Sequence, residues 1–320
     1  MLLTPLGSTE KNALLGTNSF TGPWTVYNRR ALLVPDKDKP HLREGRIIEQ
    51  YIIDETWAGF DKRWLVTLGM DPEVAKTAVT KPIRSYYLNL PFGDGQVCPT
   101  RSTPDGRVVA SNRHQRPLMV IEAKTAFYGD SALWGDPLGE YEEGPVREST
   151  IPAGYYDQCQ DHMWHTSTHI CLLPVRFNFT SAAKMYWVKR NPERIEQLAA
   201  ASIAFWRDHI LTEIPPSPDA SKGMAQYMAL QEATSEEYHR AEDADYDIMR
   251  KLFTLRGQEK QIGTDLDAVA NELKDRVVAH GGWGTEFNGE FTGRLHYKPN
   301  KNGKRAFSVK GIKHVPSSRY

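Results

Sequence analysis

The segment PLMVIEAKTA, residues 117–126, places two opposite charges inside an apolar run. The apolar residues predict a central strand, on which Glu122 and Lys124 face the same way because side chains alternate along a strand. Burying a carboxylate and an ammonium is costly unless each is paired or bound to an ion. The segment therefore requires a fold that brings further polar groups to one face of this strand.

Asp105 is the residue that we expect to lie across from this pair. It belongs to the turn TPDG at 103–106, just before the preceding predicted strand. Two carboxylates beside a lysine form an oxygen-rich site that suits Mg²⁺ or Mn²⁺. Such sites hydrolyse phosphodiesters, because the ion polarises the phosphate and lowers the pKa of the attacking water. An E-x-K pair is also typical of a solvated edge strand, but the flanking LMVI favours the metal site.

Composition narrows the class of protein. The chain has 320 residues and a formal net charge of zero, and no apolar run approaches the ~20 residues that a membrane span needs. The N-terminus lacks the pattern of a secretion signal, and the three cysteines, Cys98, Cys159 and Cys171, form no CxxC pair. We therefore expect a soluble, cytoplasmic protein without a membrane partner.

Hydrophobic periodicity and turn residues predict an α/β fold in three parts. These are a core at 1–214, a Pro-rich linker at 215–232, and a helical and β-hairpin extension at 233–320. Ser8 is predicted to be the N-cap of a short first helix. Strands are predicted at 84–90, 106–110, 117–124, 169–177, 184–190, 283–297 and 305–311. Helices are predicted at 41–57, 155–167, 191–210, 233–256 and 259–279.

The last 30 residues, from Phe291 to Tyr320, contain Lys and Arg but no Asp or Glu. A basic tail can neutralise DNA phosphates, and it can equally be a solvated end that improves solubility. The charge pattern alone leaves both interpretations open.

Four stretches carry a specific family pattern in the same order. They are GSTEKNALLG at 7–16, EGRIIEQYI at 44–52, STPDG with IEAK at 102–106 and 121–124, and YYDQCQDHMWHTS at 155–167. Together they resemble the YqaJ-type viral recombinase, lambda-exonuclease-like family of the PD-(D/E)XK nuclease superfamily. The resemblance covers most of 1–220. It implies a restriction-endonuclease-like core, in which a central mixed sheet is flanked by helices.

The resemblance implies a role at the metal site for each matching residue. Asp105 and Glu122 would ligate the metal together with the backbone carbonyl of Ala123. Lys124 would position or activate the attacking water. Glu49 would lie near a second metal ion or its water.

The resemblance also implies contacts with the substrate. Gln158 would project from its helix and orient the scissile phosphate or Lys124. The residues that would contact DNA or its terminal phosphate are Ser8, Thr103, Arg101 and Tyr155. No arginine precedes Ser8, where relatives grip the 5′ phosphate with one, so Arg29, Arg30 or Arg101 would have to take that role.

The implied activity is a Mg²⁺- or Mn²⁺-dependent deoxyribonuclease with two ions, which degrades double-stranded DNA as a 5′→3′ exonuclease in phage-type recombination. A ring-shaped homotrimer, a single-strand annealing protein as partner, and the host-cell cytoplasm as location are further implications. Two alternatives stay open. One is an endonuclease or RecB-like single-strand nuclease with the same metal site, and the other is a non-catalytic DNA-binding protein that keeps the fold.

Two further motifs suggest other chemistry. The candidate zinc ligands in one short stretch are Cys159, His162, His165, His169 and Cys171. Their spacing matches no finger or protease motif, so we predict that the histidines are exposed or capping residues on a helix. The pair Ser8 and Lys11 matches a hydrolase pattern, S-x-x-K, but helix capping explains Ser8 and the other motifs of those enzymes are missing.

Overall fold

The computed structural model describes residues 3–18, 20–31, 40–67, 69–82, 84–110, 117–126, 134, 151–177, 183–229, 242–279, 284–288, 291–299, 305–308 and 313–314. Side chains are described within these ranges except at 40–46, 82 and 226 and, from 284 onward, at all residues but Tyr297. The predicted helix start at 233–241 and half of the basic tail lie outside the described residues. The chain divides into two compact units, Met1–Glu232 and Ala233–Tyr320.

The first unit mixes helices and strands. Its helices are α1 (Ser8–Leu14), α2 (Pro23–Arg30), α3 (Pro40–Ala58), α4 (Arg63–Thr67), α5 (Pro72–Lys76), α6 (Ala153–Thr166), α7 (Pro192–Phe205, continued by a π-helical turn at Trp206–Ile210) and α8 (Lys222–Ala229). Its strands are β1 (Ala78–Pro82), β2 (Tyr86–Phe92), β3 (Gln96–Ser102), β4 (Gly106–Ala110), β5 (Met119–Ile121), β6 (Lys124–Ala126), β7 (Ile170–Phe177) and β8 (Lys184–Lys189).

The main sheet of this unit is mixed. Strand β4 pairs antiparallel with β1 and β5, whereas β7 pairs parallel with β5 and β6 and antiparallel with β8. Strands β2 and β3 form a separate antiparallel pair. The sequence did not predict β1 or β3, because Pro82 and Pro99 within them weaken the pattern of a strand.

Apolar side chains cover both faces of the main sheet. On one face Met119 and Ile121 pack against Ile52 and Ile53 of α3. On the other face Val120 packs in the same cluster as Met163 of α6. The sheet therefore lies between α3 and α6, as expected for a layered α/β unit. Since residues alternate along β5, Glu122 follows Val120 onto the α6 face.

The predicted linker at 215–232 contains the helix α8, which packs onto α2. The Asp219 carboxylate accepts a hydrogen bond from the Trp24 backbone N–H at 2.9 Å, and the Tyr227 ring lies 4.3 Å from the Trp24 ring. This segment is thus held to the first unit by side-chain contacts. The prolines at 215–218 predicted a linker, and the helix α8 that follows them was not predicted.

The second unit contains a 37-residue helix, α9 (Asp243–Ala279), and a small antiparallel sheet of β9 (Gly284–Asn288), β10 (Phe291–Pro299), β11 (Arg305–Ser308) and β12 (Lys313–His314). Two helices were predicted with a break near Gly257, and the structure has one. A glycine in a helix interior costs only about 1 kcal/mol relative to alanine, and no proline interrupts the segment. None of the helices in the described ranges combines the length and apolarity that a membrane span requires.

Candidate active site

Asp105 and Glu122 meet where β4 begins and the antiparallel strand β5 ends. Gly106 pairs with Ile121 in the antiparallel register, so the next step outward sets Asp105 opposite Glu122. The backbone N–H of Glu122 donates to the Leu172 carbonyl of β7 at 3.0 Å, whereas that of Ala123 donates to Asp105 Oδ2 at 2.9 Å. The Asp105 carboxylate therefore accepts the hydrogen bond that a backbone carbonyl of a neighbouring strand would otherwise accept from Ala123. This contact explains why one predicted strand is divided into β5 and β6.

Lys124 lies between the two carboxylates. Its ammonium forms a close ion pair with Glu122 Oε1 and lies 4.0 Å from Asp105 Oδ2. Glu122 is almost fully buried, at 1% exposure, while Lys124 and Asp105 keep a small opening to solvent. The structure thus brings together the three residues that the sequence singled out.

Burial and mutual charge shift all three groups. Burial, followed by repulsion from Glu122, raises the pKa of Asp105. Burial alone would also raise the pKa of Glu122, but Lys124 and His162 outweigh it and lower that pKa. Burial opposes the charge of Lys124, yet the attraction of Glu122 and Asp105 prevails and raises the pKa of Lys124. Two carboxylates therefore compete for one ammonium, and the pair lacks positive charge.

The other predicted site residues lie around this trio on two helices. Glu49 of α3 is half-buried, and its negative charge contributes to raising the pKa of both Asp105 and Lys124. The ring centroid of Tyr155 on α6 lies 5.9 Å from the Lys124 ammonium. Gln158 is half-buried one turn further along α6, on the face that it shares with Tyr155.

His162 is the residue at this site that the sequence interpretation missed. It was predicted to be exposed or capping, yet it is fully buried and its Nε2 lies 2.9 Å from Glu122 Oε2. Its position four residues after Gln158 and seven after Tyr155 puts it on the same helix face, which was a usable signal.

A chain of hydroxyls continues behind His162. Ser102 Oγ lies 2.6 Å from His162 Nδ1, and Ser8 Oγ donates to Ser102 Oγ at 3.4 Å. His162 Nδ1 is therefore within hydrogen-bonding distance of Ser102, and His162 Nε2 is the ring nitrogen nearest Glu122. The path links α1, β3 and α6 to the buried carboxylate. The contact of His162 with Glu122 restricts where the buried carboxylate can lie.

Ser8 is not the N-cap of α1, as had been predicted. The N-cap of α1 is Gly7, whose N–H donates to Glu10 Oε2 at 2.7 Å, and Ser8 is the first helical residue. Its side chain is buried against Ser102, which favours a role inside the protein over a contact with a DNA phosphate. The nearby Lys11 is also fully buried and forms an ion pair with Asp161 Oδ1 at 2.6 Å.

Lys11 and Asp161 belong to a second buried polar cluster. His165 Nε2 lies 3.4 Å from Lys11 Nζ and 3.0 Å from Thr100 Oγ1, and Lys11 also donates to the Arg101 carbonyl at 3.1 Å. Burial alone raises the pKa of Asp161, but Lys11 and His165 reverse this and lower it. His165 was predicted to be exposed and is buried, whereas His169 is exposed.

The predicted phosphate-binding residues are dispersed. Arg101 is exposed, on the opposite side of β3 from Ser102. The Thr103 hydroxyl lies 2.9 Å from Ser85 Oγ. Arg30 is buried and binds Glu10 with two nitrogens, at 3.0 and 2.7 Å, so it holds the N-terminal segment in place. Arg29 is exposed.

The donor set decides which metal the site fits. Within the described ranges, no three His, Cys, Asp or Glu side chains are grouped so that they could hold an ion. Mg²⁺ is commonly bound by only one or two carboxylates and completes its shell with water and substrate phosphate. Asp105 and Glu122, which both lie near the single ammonium of Lys124, can supply these two carboxylates.

Comparisons with known proteins give distant similarities. No protein-family model matches the chain, and no curated protein sequence matches it. The structure is similar to that of an alkaline exonuclease (LHK-Exo) from Laribacter hongkongensis, with a TM-score of 0.40 and 12% identity over 65% of this chain and 89% of that one. The same exonuclease in complex with dAMP gives 0.40 and 13% over the same shares.

A phage related exonuclease from Haemophilus somnus 129PT gives a TM-score of 0.35 and 10% identity over 66% of this chain and 97% of that one. At these TM-scores and identities the similarities carry no functional argument. What the site does is therefore argued from its side chains.

Proposed function

We propose that this protein is a Mg²⁺-dependent deoxyribonuclease with a PD-(D/E)XK core, acting as an exonuclease on double-stranded DNA. The observation that supports the proposal is the convergence of Asp105 and Glu122 on the single ammonium of Lys124 at the end of β5. A structural ion pair needs one carboxylate for each lysine. The second carboxylate, with its raised pKa, is the excess that a cation would balance.

Asp105, Glu122 and the Ala123 carbonyl are the groups that would hold the ion, with Glu49 beside a second one. When bound, the ion supplies Lewis acidity to the phosphate and to the attacking water. His162 holds Glu122 in one orientation from behind. This arrangement leaves the solvent side of the pair, where Asp105 and Lys124 are partly exposed, for the substrate.

Lys124 acts as a donor and a positive charge. Attraction by the two carboxylates raises the pKa of Lys124 and favours its ammonium form. It is placed to hold the attacking water by donating to it and to stabilise charge that develops on the phosphate. Gln158 and Tyr155, on the same face of α6, line the approach for the scissile phosphate.

The finer statements rest on the motif resemblance. They are a 5′→3′ polarity, a role in phage-type recombination in the host-cell cytoplasm, a ring-shaped homotrimer and a single-strand annealing partner. Exposed Arg101 and Arg29 are the arginines that remain for end recognition, since Arg30 is engaged with Glu10.

The decisive experiment compares wild type, Lys124→Ala and Lys81→Ala on linear and circular double-stranded DNA, with Mg²⁺ and with a chelator. We expect wild type to shorten linear DNA from its ends with Mg²⁺ only, and Lys124→Ala to lose about 1,000-fold or more of that rate. Lys81 is an exposed lysine of β1 in the same sheet, so its variant should keep wild-type activity.

Other outcomes separate the alternatives. Nicking of circles would indicate an endonuclease, digestion of single strands alone a RecB-like nuclease, and a mobility shift without cleavage a binding protein. End-labelled DNA reports polarity. Unchanged turnover in Lys124→Ala, with folding verified by circular dichroism, would remove the catalytic assignment.

A further inference from the structure

The helix α9 carries an exposed apolar stripe with a heptad spacing. Successive steps of four and three residues connect Ile248, Leu252, Leu255, Glu259, Ile262, Leu266, Val269 and Leu273, which we call the seam. Six of these eight side chains are large, apolar and exposed. A repeat of this length is typical of a coiled-coil contact, not of a solvated surface helix. α9 has 37 residues and is about 55 Å long, and in proteins most of the stability of a helix comes from packing of its apolar face.

The charges beside the seam decide the orientation of the partner. Lys251 and Arg256 flank its N-terminal half, and Asp265 and Glu272 flank its C-terminal half. A parallel second copy in register would set basic against basic and acidic against acidic. An antiparallel second copy sets the basic half of each helix against the acidic half of the other, which is favourable.

The charged residues within the heptad positions give the same answer. Asp245 precedes the seam by three residues and Arg276 follows it by three. In a parallel pair each would face its own copy, as would Glu259, and three like-charge layers would result. In an antiparallel pair Asp245 faces Arg276 of the second copy, and Glu259 faces Ile262.

We propose that α9 docks antiparallel on α9 of a second copy of this chain. The two-fold axis passes between Lys260 and Gln261, so the helices overlap along their whole length. The layers on each side of the axis are Glu259 with Ile262, Leu255 with Leu266, Leu252 with Val269, Ile248 with Leu273, and Asp245 with Arg276. This contact is independent of the nuclease proposal and of the ring-shaped trimer, because it uses only α9.

The first test measures particle mass by light scattering for the full-length chain and two matched variants. Leu266 is 66% exposed and lies in the seam, whereas Phe253 is 68% exposed and lies outside it. We expect Leu266→Glu to halve the mass of the wild-type particle and Phe253→Glu to leave it unchanged. Because both side chains are exposed, neither change should reduce the helix signal in circular dichroism, and Leu255→Glu should repeat the effect.

Halving is expected whether the wild type is a dimer or a pair of rings. A wild-type protein that is a single chain in solution would overturn the proposal. An equal effect of Leu266→Glu and Phe253→Glu would overturn it too, and either result would indicate another occupant for the seam.

The second test determines orientation by oxidative cross-linking. Cys98, Cys159 and Cys171 are buried, so a thiol introduced on α9 is the exposed one among the described residues. Variants Leu255→Cys and Leu266→Cys should each fail to cross-link alone and should form a disulfide when the two are mixed. Cross-linking of either variant with itself would indicate a parallel pair and contradict the antiparallel register.

Discussion

The unit that ends at Glu232 buries charged side chains, whereas the long helix of the unit that follows exposes apolar ones. Lys11, Asp161, Glu122 and His162 are each at most 1% exposed. In α9, side chains such as Leu266 are more than half exposed. Both arrangements are costly for an isolated chain, since buried charge loses hydration and exposed apolar surface orders water.

The difference lies in where each cost is offset. Among the described residues of the first unit, buried charges such as Lys11 and Asp161 pair within the chain, and the Asp105–Glu122 pair is the place where we propose that an ion binds. In α9 six apolar side chains of the seam are exposed, and the antiparallel contact that we propose with a second copy would cover them. An unbalanced charge thus indicates a ligand, and an uncovered apolar face indicates a partner.

The largest stability effect is expected from breaking the buried pair of Lys11 and Asp161. Lys11→Met keeps the volume of the side chain but leaves Asp161 buried without its ammonium, which should lower the free energy of unfolding by about 3–5 kcal/mol. Urea denaturation measures the loss. The double variant Lys11→Met/Asp161→Asn should recover part of it, because no buried charge remains.

The control is Lys76→Met, which breaks the exposed pair with Glu73 and should leave stability unchanged. A similar small effect of Lys11→Met would mean that the first unit does not depend on its buried charges, and the comparison would fail there.

The substitution Asp105→Asn tests whether the two carboxylates of the site have too little positive charge beside them. The pKa of Asp105 is raised in the folded protein, so its ionisation costs stability once the pH exceeds the unfolded value of about 3.9. With a chelator at neutral pH the variant should therefore be more stable than wild type, by about 1.4 kcal/mol for each pH unit above about 3.9, because the folded carboxyl, with a pKa of about 9, is still protonated at neutral pH. The gain in stability should disappear below a pH of about 3.9.

With Mg²⁺ the order should reverse, because only wild type keeps both carboxylates that the ion would bind. Thermal melts with and without Mg²⁺ measure both effects, and Asp54→Asn on the exposed side of α3 is the control. A variant less stable than wild type in chelator would contradict the charge imbalance.

The smallest effect is expected in α9 from Gly257→Ala. A Cβ at Gly257 meets no atom within 4 Å, so the change should stabilise the helix by about 0.5–1 kcal/mol. Thermal unfolding followed by the helix signal measures it. Gly16→Ala is the contrasting control, since Gly16 has a φ of +71° and the same substitution there should destabilise. No gain at Gly257 would argue against a continuous α9.

Local patterns in the sequence predicted several helices and strands and three of the residues that meet at the candidate site. The run at 117–124 and the turn before β4 predicted that Asp105, Glu122 and Lys124 would meet, because register and alternation are local rules. Helical periodicity predicted α6 and α7. The heptad of α9 is equally local, although a glycine suggested a break that does not occur.

The sequence by itself determined which residues share a strand or a helix face, since those relations depend only on the repeat of each element. Only the tertiary structure decided which faces are buried and what they contact. Lys11 of α1 contacts Asp161 of α6, and His162 of α6 contacts Glu122. These are contacts between segments that are far apart in the chain. Their free energies depend on burial and on the partner's charge, and neither quantity is written in local spacing.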